Sequence, residues 1–120
     1  SDLLTVMRAC TEGTLENTEV RFSDKHACCV ILASKGYPAH YEKGFPITMT
    51  PEAAVHTYVA GAKLQEGKLV PSGGRVTGTT AVADSLEKAI QEAYRLSDGV
   101  QFEGAYRRSD IGQRALQAGK

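Results

Sequence analysis

The chain has 120 residues, of which 42% are hydrophobic and 23% charged, with fourteen basic side chains against fourteen acidic ones. That length makes one domain, or one domain with an appendage, and it can bury roughly two-thirds of its unfolded surface without a covalent staple. Balanced charge argues against the basic face that a nucleic-acid partner needs, and no apolar run nears the roughly 20 residues of a membrane-spanning helix.

The opening SDLLTVMRACTEG reads as a short helix. Asp2 can cap it, Leu3, Leu4, Met7 and Cys10 recur at helical spacing, and Gly13 stands where a left-handed C-terminal residue belongs. So short a helix is expected to pack on something larger. No basic segment leads into a long apolar one, so no secretory leader is read; the start without Met reads as a fragment or a processed product. TLENTEVRFSD is polar, without period, and suits a connector.

HACCVILAS, His26–Ser34, is a compact apolar run ended by KGYP, which predicts a strand buried on both faces. KGYPAHYEKGFP must be a well-turned loop, with Tyr37 pushed toward extended backbone by Pro38. Pro51–Ala54 can make one helical turn. From His56 the pattern alternates: Tyr58, Ala60, Ala62 and Leu64 share a parity, QEGK turns, and Leu69 and Val70 begin the return. After a double glycine, Val76, Gly78, Thr80 and Val82 fall on one face, opposite Thr77, Thr79 and Ala81. This reads as a meander of short antiparallel strands. Ser85, after Asp84, caps the clearest helix, whose stripe is Leu86, Ala89, Ile90, Ala93, Tyr94 and Leu96, and Gly99 ends it. VQFEG reads as a short strand and SDIGQRALQAGK as a last short helix begun by Ser109 or Asp110. The order of elements predicts an α+β fold, an antiparallel sheet with helices packed on one side.

Three cysteines cannot all pair within one chain, and free thiols place it in a reducing compartment, the cytoplasm. Cys28 and Cys29 lie inside the apolar run, where burial raises a thiol pKa and leaves the group inert. His26, His40 and His56 lack the spacing of metal ligands, and no acidic pair stands out as a general acid and base. No catalytic and no metal-binding residue is therefore assigned.

Two strings point to binding. In Ser72-Gly73-Gly74-Arg75, the glycines can adopt positive φ and admit a ligand to the main chain, and Arg75 offers a planar fork for phosphate or carboxylate. A hairpin turn with a solvated arginine is the plainer reading of these residues alone. There is no GxxxxGK[ST], which excludes a P-loop. In KGYP, Lys35 and Tyr37 at a strand end resemble a binding loop, against the plainer reading of an exposed lysine and a packing tyrosine.

Several strings together carry a resemblance: SDLLTVM at 1–7, VILASKGYP at 30–38, AGAKLQEGKLVPSGGRVTGTTA at 60–81, FEGA at 102–105 and RSDIGQRAL at 108–116. In this order and spacing they resemble the C-terminal end of the phosphoribosylamine–glycine ligase (glycinamide ribonucleotide synthetase) family, across essentially the whole chain. The resemblance implies the C-terminal domain of an ATP-grasp ligase of purine biosynthesis, a half-barrel of the barrel-sandwich-hybrid kind. The full enzyme would join glycine to phosphoribosylamine through a glycyl phosphate, using ATP with Mg²⁺ or Mn²⁺ held by its other domains. No cofactor is expected in this chain, which by itself is expected to be inactive.

Residues 1–20 would be the last helix of the ATP-grasp domain with its connector, and 21–120 the C-terminal domain. The partners implied are phosphoribosylamine, glycine, ATP and the rest of the ligase, with no nucleic acid and no membrane. Gly73, Gly74, Arg75, Lys35 and Tyr37 are the expected substrate-binding residues, and by analogy with related ATP-grasp enzymes Arg75 is expected on the phosphate. The chain departs from the family where Ser72 replaces Asn and Thr77 replaces Leu around Gly-Gly-Arg, and where Tyr58-Val59-Ala60-Gly61-Ala62 stands for Phe-His-Ala-Gly-Thr. A non-catalytic binding module of the same fold is the alternative. A biotinyl carrier is not, because no Met-Lys-Met occurs.

Overall fold

Local signals set the helix ends. In the computed structural model, which describes residues 1–118, α1 spans Leu3–Glu12; Asp2 accepts from the Thr5 N–H and Gly13 closes the helix in the left-handed region at φ 69°. A 3-10 turn, Leu15–Asn17, follows. The helix buries only Ala9; Leu3, Leu4 and Met7 are 70%, 65% and 58% exposed, so the expected packing partner is not among the described residues.

β1 is His26–Ser34. After the loop come β2 (Thr48–Met49) and α2 (Pro51–Ala54), a single turn with Pro51 in its first turn and Thr50 accepting from the Ala53 N–H. The alternating stretch from His56 forms two strands in different sheets: β3 (Thr57–Val59) and β4 (Ala62–Gln65). β4 pairs with β5 (Lys68–Pro71) through a two-residue turn in which Glu66 and Gly67 both have positive φ, 51° and 75°. β6 is Arg75–Ala83 and α3 is Leu86–Ser97, capped by Ser85 accepting from the Lys88 N–H. β7 (Val100–Gln101) and β8 (Ala105–Tyr106) are followed by α4 (Gln113–Ala118), which starts later than Ser109 or Asp110; the sequence reading of this helix also takes in 119–120, outside the described residues.

The central sheet has the order β3-β6-β1-β8, all neighbours antiparallel, so β3 pairs with β6 and the simple meander is not formed. Two two-stranded sheets, β2-β7 and β4-β5, complete the strands. α3 covers one face of the central sheet: Cys28, Val30 and Ala81 pack with Ala89, Ile90, Ala93 and Leu96. A second cluster joins Leu32 and Val76 to Ile47, Ala53, Val100 and Phe102. On the helical side, Arg95 reaches Glu52 and Glu92 and ties α2 to α3, which holds both carboxyls below their ordinary range through hydrogen bonding to the guanidinium.

Three expectations are corrected here. β1 is buried on one face for most of its length, because a single helix layer covers the sheet; Cys29 and Ile31 point outward and are exposed, and on that side only Ala33, near the strand's end, is buried. The two adjacent cysteines therefore differ: burial pushes the Cys28 thiol up, whereas Cys29 is exposed. The third concerns β6. Leu32 pairs with Thr77 but Ala33 pairs with Arg75, so Val76 is an extra residue, a β-bulge. Val76 leaves the face of Gly78, Thr80 and Val82 and is fully buried in the second cluster.

Candidate functional site

The bulge decides where Arg75 points. Along β6, Ala81, Thr79 and Thr77 are buried on one side, and strict alternation would carry Arg75 to that side too. One inserted residue reverses the parity and sets Arg75 beside Ala33 on the open side, where it is exposed. Here it lines a depression of about 480 Å³. Cys29, Ile31 and Ala33 of β1 form the floor, the Tyr37–Pro38 loop one wall, and Tyr106 and Ile111 another. Apart from arginine side chains the lining is mostly apolar.

Three arginines reach this depression, and two of them are committed elsewhere. Arg107 donates to the Tyr94 carbonyl and to Ser97 Oγ, and pairs with Asp98 at 2.6 Å. Arg108 makes a two-pronged pair with Asp110 at 2.7 and 2.6 Å, which raises the guanidinium pKa and lowers that of the carboxyl. Arg75 makes no ion pair among the described residues. Its fork is available to an anion from outside.

The double glycine serves a different purpose from the one expected. Neither Gly73 nor Gly74 has positive φ. A Cβ on Gly74 would overlap the Tyr37 ring, and a Cβ on Gly61 would lie 2.8 Å from the Gly73 Cα. The glycines thus let the chain pack on itself: the Ser72 and Gly73 N–H groups both donate to the Gly61 carbonyl, at 2.8 and 2.9 Å, and the Ser34 N–H donates to the Gly74 carbonyl at 2.8 Å. The turn is clamped between β1 and the 60–61 bend, with the Tyr37 ring seated against Gly74.

Tyr37 and Arg75 are brought together at one depression, and Lys35 is not. Lys35 lines a separate depression of about 350 Å³ with His40, Tyr41, Glu42 and Glu103, because its N–H is drawn to the Gly104 carbonyl at 2.7 Å. Among the described residues, no three His, Cys, Asp or Glu side chains converge as a metal site, and no helix is long and apolar enough to cross a membrane.

The family described as phosphoribosylglycinamide synthetase, C domain, matches residues 27–114. The chain belongs to this family. A phosphoribosylamine–glycine ligase of Caldanaerobacter subterraneus subsp. tengcongensis is 46% identical over 112 residues, covering 92% of this chain and 27% of that protein. The Agrobacterium fabrum enzyme of the same name is 43% identical over 118 residues, 97% of this chain and 28% of that one. A crystal structure of phosphoribosylamine–glycine ligase from Thermotoga maritima superposes with a TM-score of 0.67 at 41% identity, over 71% of this chain and 21% of that chain. The chain therefore spans little more than a quarter of the length of these curated relatives.

Within this phosphoribosylglycinamide synthetase C domain, the sequence singles out Arg75 and Tyr37 but not Ile31, Ala33 and Tyr106, which line the same depression. No local signal marks these three, because their place follows from cross-strand register: Ala33 is paired to both Arg75 and Tyr106.

Proposed function

We propose that this chain is the C-terminal part of an ATP-dependent ligase that joins glycine to phosphoribosylamine, and that its own contribution is to hold the sugar phosphate. The observation that carries this reading is Arg75: an unpaired guanidinium set beside an open depression by the bulge at Val76. A guanidinium stays cationic at every physiological pH and matches two phosphate oxygens at once. Beside the apolar floor of Ile31 and Ala33 its field is less screened than in open water, so the attraction to a phosphate strengthens. Tyr37, seated on Gly74, is a positioning residue that fixes the turn presenting Arg75.

Holding the phosphate orients the rest of phosphoribosylamine. Its amine nitrogen can then meet the activated carboxyl carbon of glycine in attack geometry, with inorganic phosphate leaving from the glycyl phosphate. In this reading ATP and Mg²⁺ or Mn²⁺ belong to the remainder of the ligase. The same reading places the enzyme in the cytoplasm with the other steps of purine synthesis.

The test is steady-state kinetics of the full-length ligase. Arg75→Ala is expected to raise KM for phosphoribosylamine by about tenfold or more, the worth of one charge-assisted contact, and to leave KM for ATP nearly unchanged. Equal rises for both substrates would contradict a phosphate grip.

A further inference from the structure

A phosphate monoester carries a charge of about −1.5 to −2 near neutral pH and offers three oxygens to hydrogen-bond donors. Arg75 brings one positive charge, and its fork meets two oxygens. A second cation at the same depression would complete the match. Arg107 and Arg108 both stand there, and they are held in different ways. Arg107 donates to the Tyr94 carbonyl and to the Ser97 hydroxyl, pairs with Asp98, and lies 5.0 Å from the centre of the Tyr94 ring. Its side chain is 27% exposed, and Ser97 is buried. Pulling Arg107 away would break all of these contacts, one of them to a buried hydroxyl, which is costly. Arg107 is a fixed part of the framework.

Arg108 is the opposite case. Among the described residues its guanidinium pairs with Asp110 alone, and the two side chains are 71% and 54% exposed. An ion pair so exposed contributes little to stability, and Asp110 keeps its water when released, so exchanging this partner costs little. The backbone need not move for the exchange. The Tyr94 hydroxyl donates to the Arg108 carbonyl at 2.6 Å and accepts from the Ile111 N–H at 3.0 Å, which pins the 108–111 turn to α3. Only the side-chain torsions of Arg108 have to change.

We infer that Arg108 is a second phosphate-binding residue, and that Asp110 is a built-in competitor which the phosphate of the substrate displaces from it. The inference deepens the function proposed above and rests on it. A phosphate wins the exchange because it carries more charge than one carboxylate and already has Arg75 on two of its oxygens. The apolar floor of Ile31 and Ala33 also screens its attraction less than open water screens the Arg108–Asp110 pair. Asp110 thereby sets the affinity, keeping it below what two unengaged guanidinium groups would give.

The test is a double-mutant cycle read by calorimetric titration of ribose 5-phosphate into the full-length ligase. Arg108→Gln is expected to weaken binding about tenfold, and Asp110→Asn to tighten it about threefold. In the Arg108→Gln background, Asp110→Asn is expected to change affinity by less than about 1.5-fold, because the competitor then has nothing to withhold. Unchanged affinity in Arg108→Gln overturns the inference. So does equal tightening by Asp110→Asn in both backgrounds, which would mean that Asp110 acts only through its own charge. If Arg108→Gln also loses an ATP analogue, the tightening by Asp110→Asn decides, since a folding defect cannot produce it. Binding weakened by Arg75→Gln and untouched by Arg108→Gln removes this inference and leaves the Arg75 grip standing, whereas indifference to both arginines removes the functional reading as well.

Discussion

Leu32 and Ile31 are neighbours on one strand and live in different environments. Leu32 is 4% exposed in a cluster with Ile47, Val76 and Phe102; Ile31 is 37% exposed on the bare face. The covered face is a finished core, closed by α3 and the second cluster, and its residues are chosen for packing. The bare face has comparable side chains and no covering layer among the described residues. The difference teaches that apolar character in a strand does not say which side will be buried within a domain.

The largest expected effect breaks that comparison directly. Leu32→Ala should cost about 2–5 kcal/mol in urea unfolding of the chain, from lost transfer energy plus a cavity. Ile31→Ala in the same experiment should cost less, about 1–2 kcal/mol, since over a third of its surface is already in water. Similar costs would mean that the bare face is covered in the isolated chain.

A second experiment sharpens the account of the turn. Gly74→Ala places a methyl in the Tyr37 ring, and this overpacking should cost about 1–3 kcal/mol. Tyr37→Ala should relieve it, so that the double variant is more stable than the sum of the single changes predicts, by at least about 0.5 kcal/mol. Strict additivity would show that the ring does not occupy this space in solution.

The smallest effect lies on the covered face. Thr77 is fully buried and its hydroxyl has no hydrogen-bond partner among the described residues, whereas the Thr79 hydroxyl beside it meets that of Thr57 at 3.0 Å. Thr77→Val removes an unsatisfied polar atom at constant shape and should stabilise the chain by roughly 1 kcal/mol. Destabilisation by that amount would mean that the hydroxyl is satisfied in solution.

How much of this was legible beforehand follows from how local each signal is. The caps at Asp2, Thr50 and Ser85 and the Glu66-Gly67 turn depend on a few adjacent residues, and the turn and helix caps at Asp2 and Ser85 read correctly from the sequence. The bulge at Val76 depends on how β6 meets β1, whose paired residues are more than forty positions away, and nothing in RVTGTTAVA announces it. The two-residue strands β2, β7 and β8 are too short to show a period. In the site, Arg75 is readable from its charge beside two glycines. The contact of Tyr37 with Gly74 joins residues far apart in the chain, and the separation of Lys35 from both depends on a backbone bond to Gly104. Family resemblance could name those residues, but only register and turn geometry show which of them face one another.

The central claim is that the bulge turns Arg75 outward to grip a sugar phosphate. Calorimetric titration of ribose 5-phosphate into the full-length ligase and its Arg75→Gln variant tests it most directly. The account predicts an affinity loss of about tenfold or more, equivalent to roughly 1.4 kcal/mol or more, with binding of an ATP analogue unchanged. Equal affinity of the two proteins for ribose 5-phosphate would contradict it.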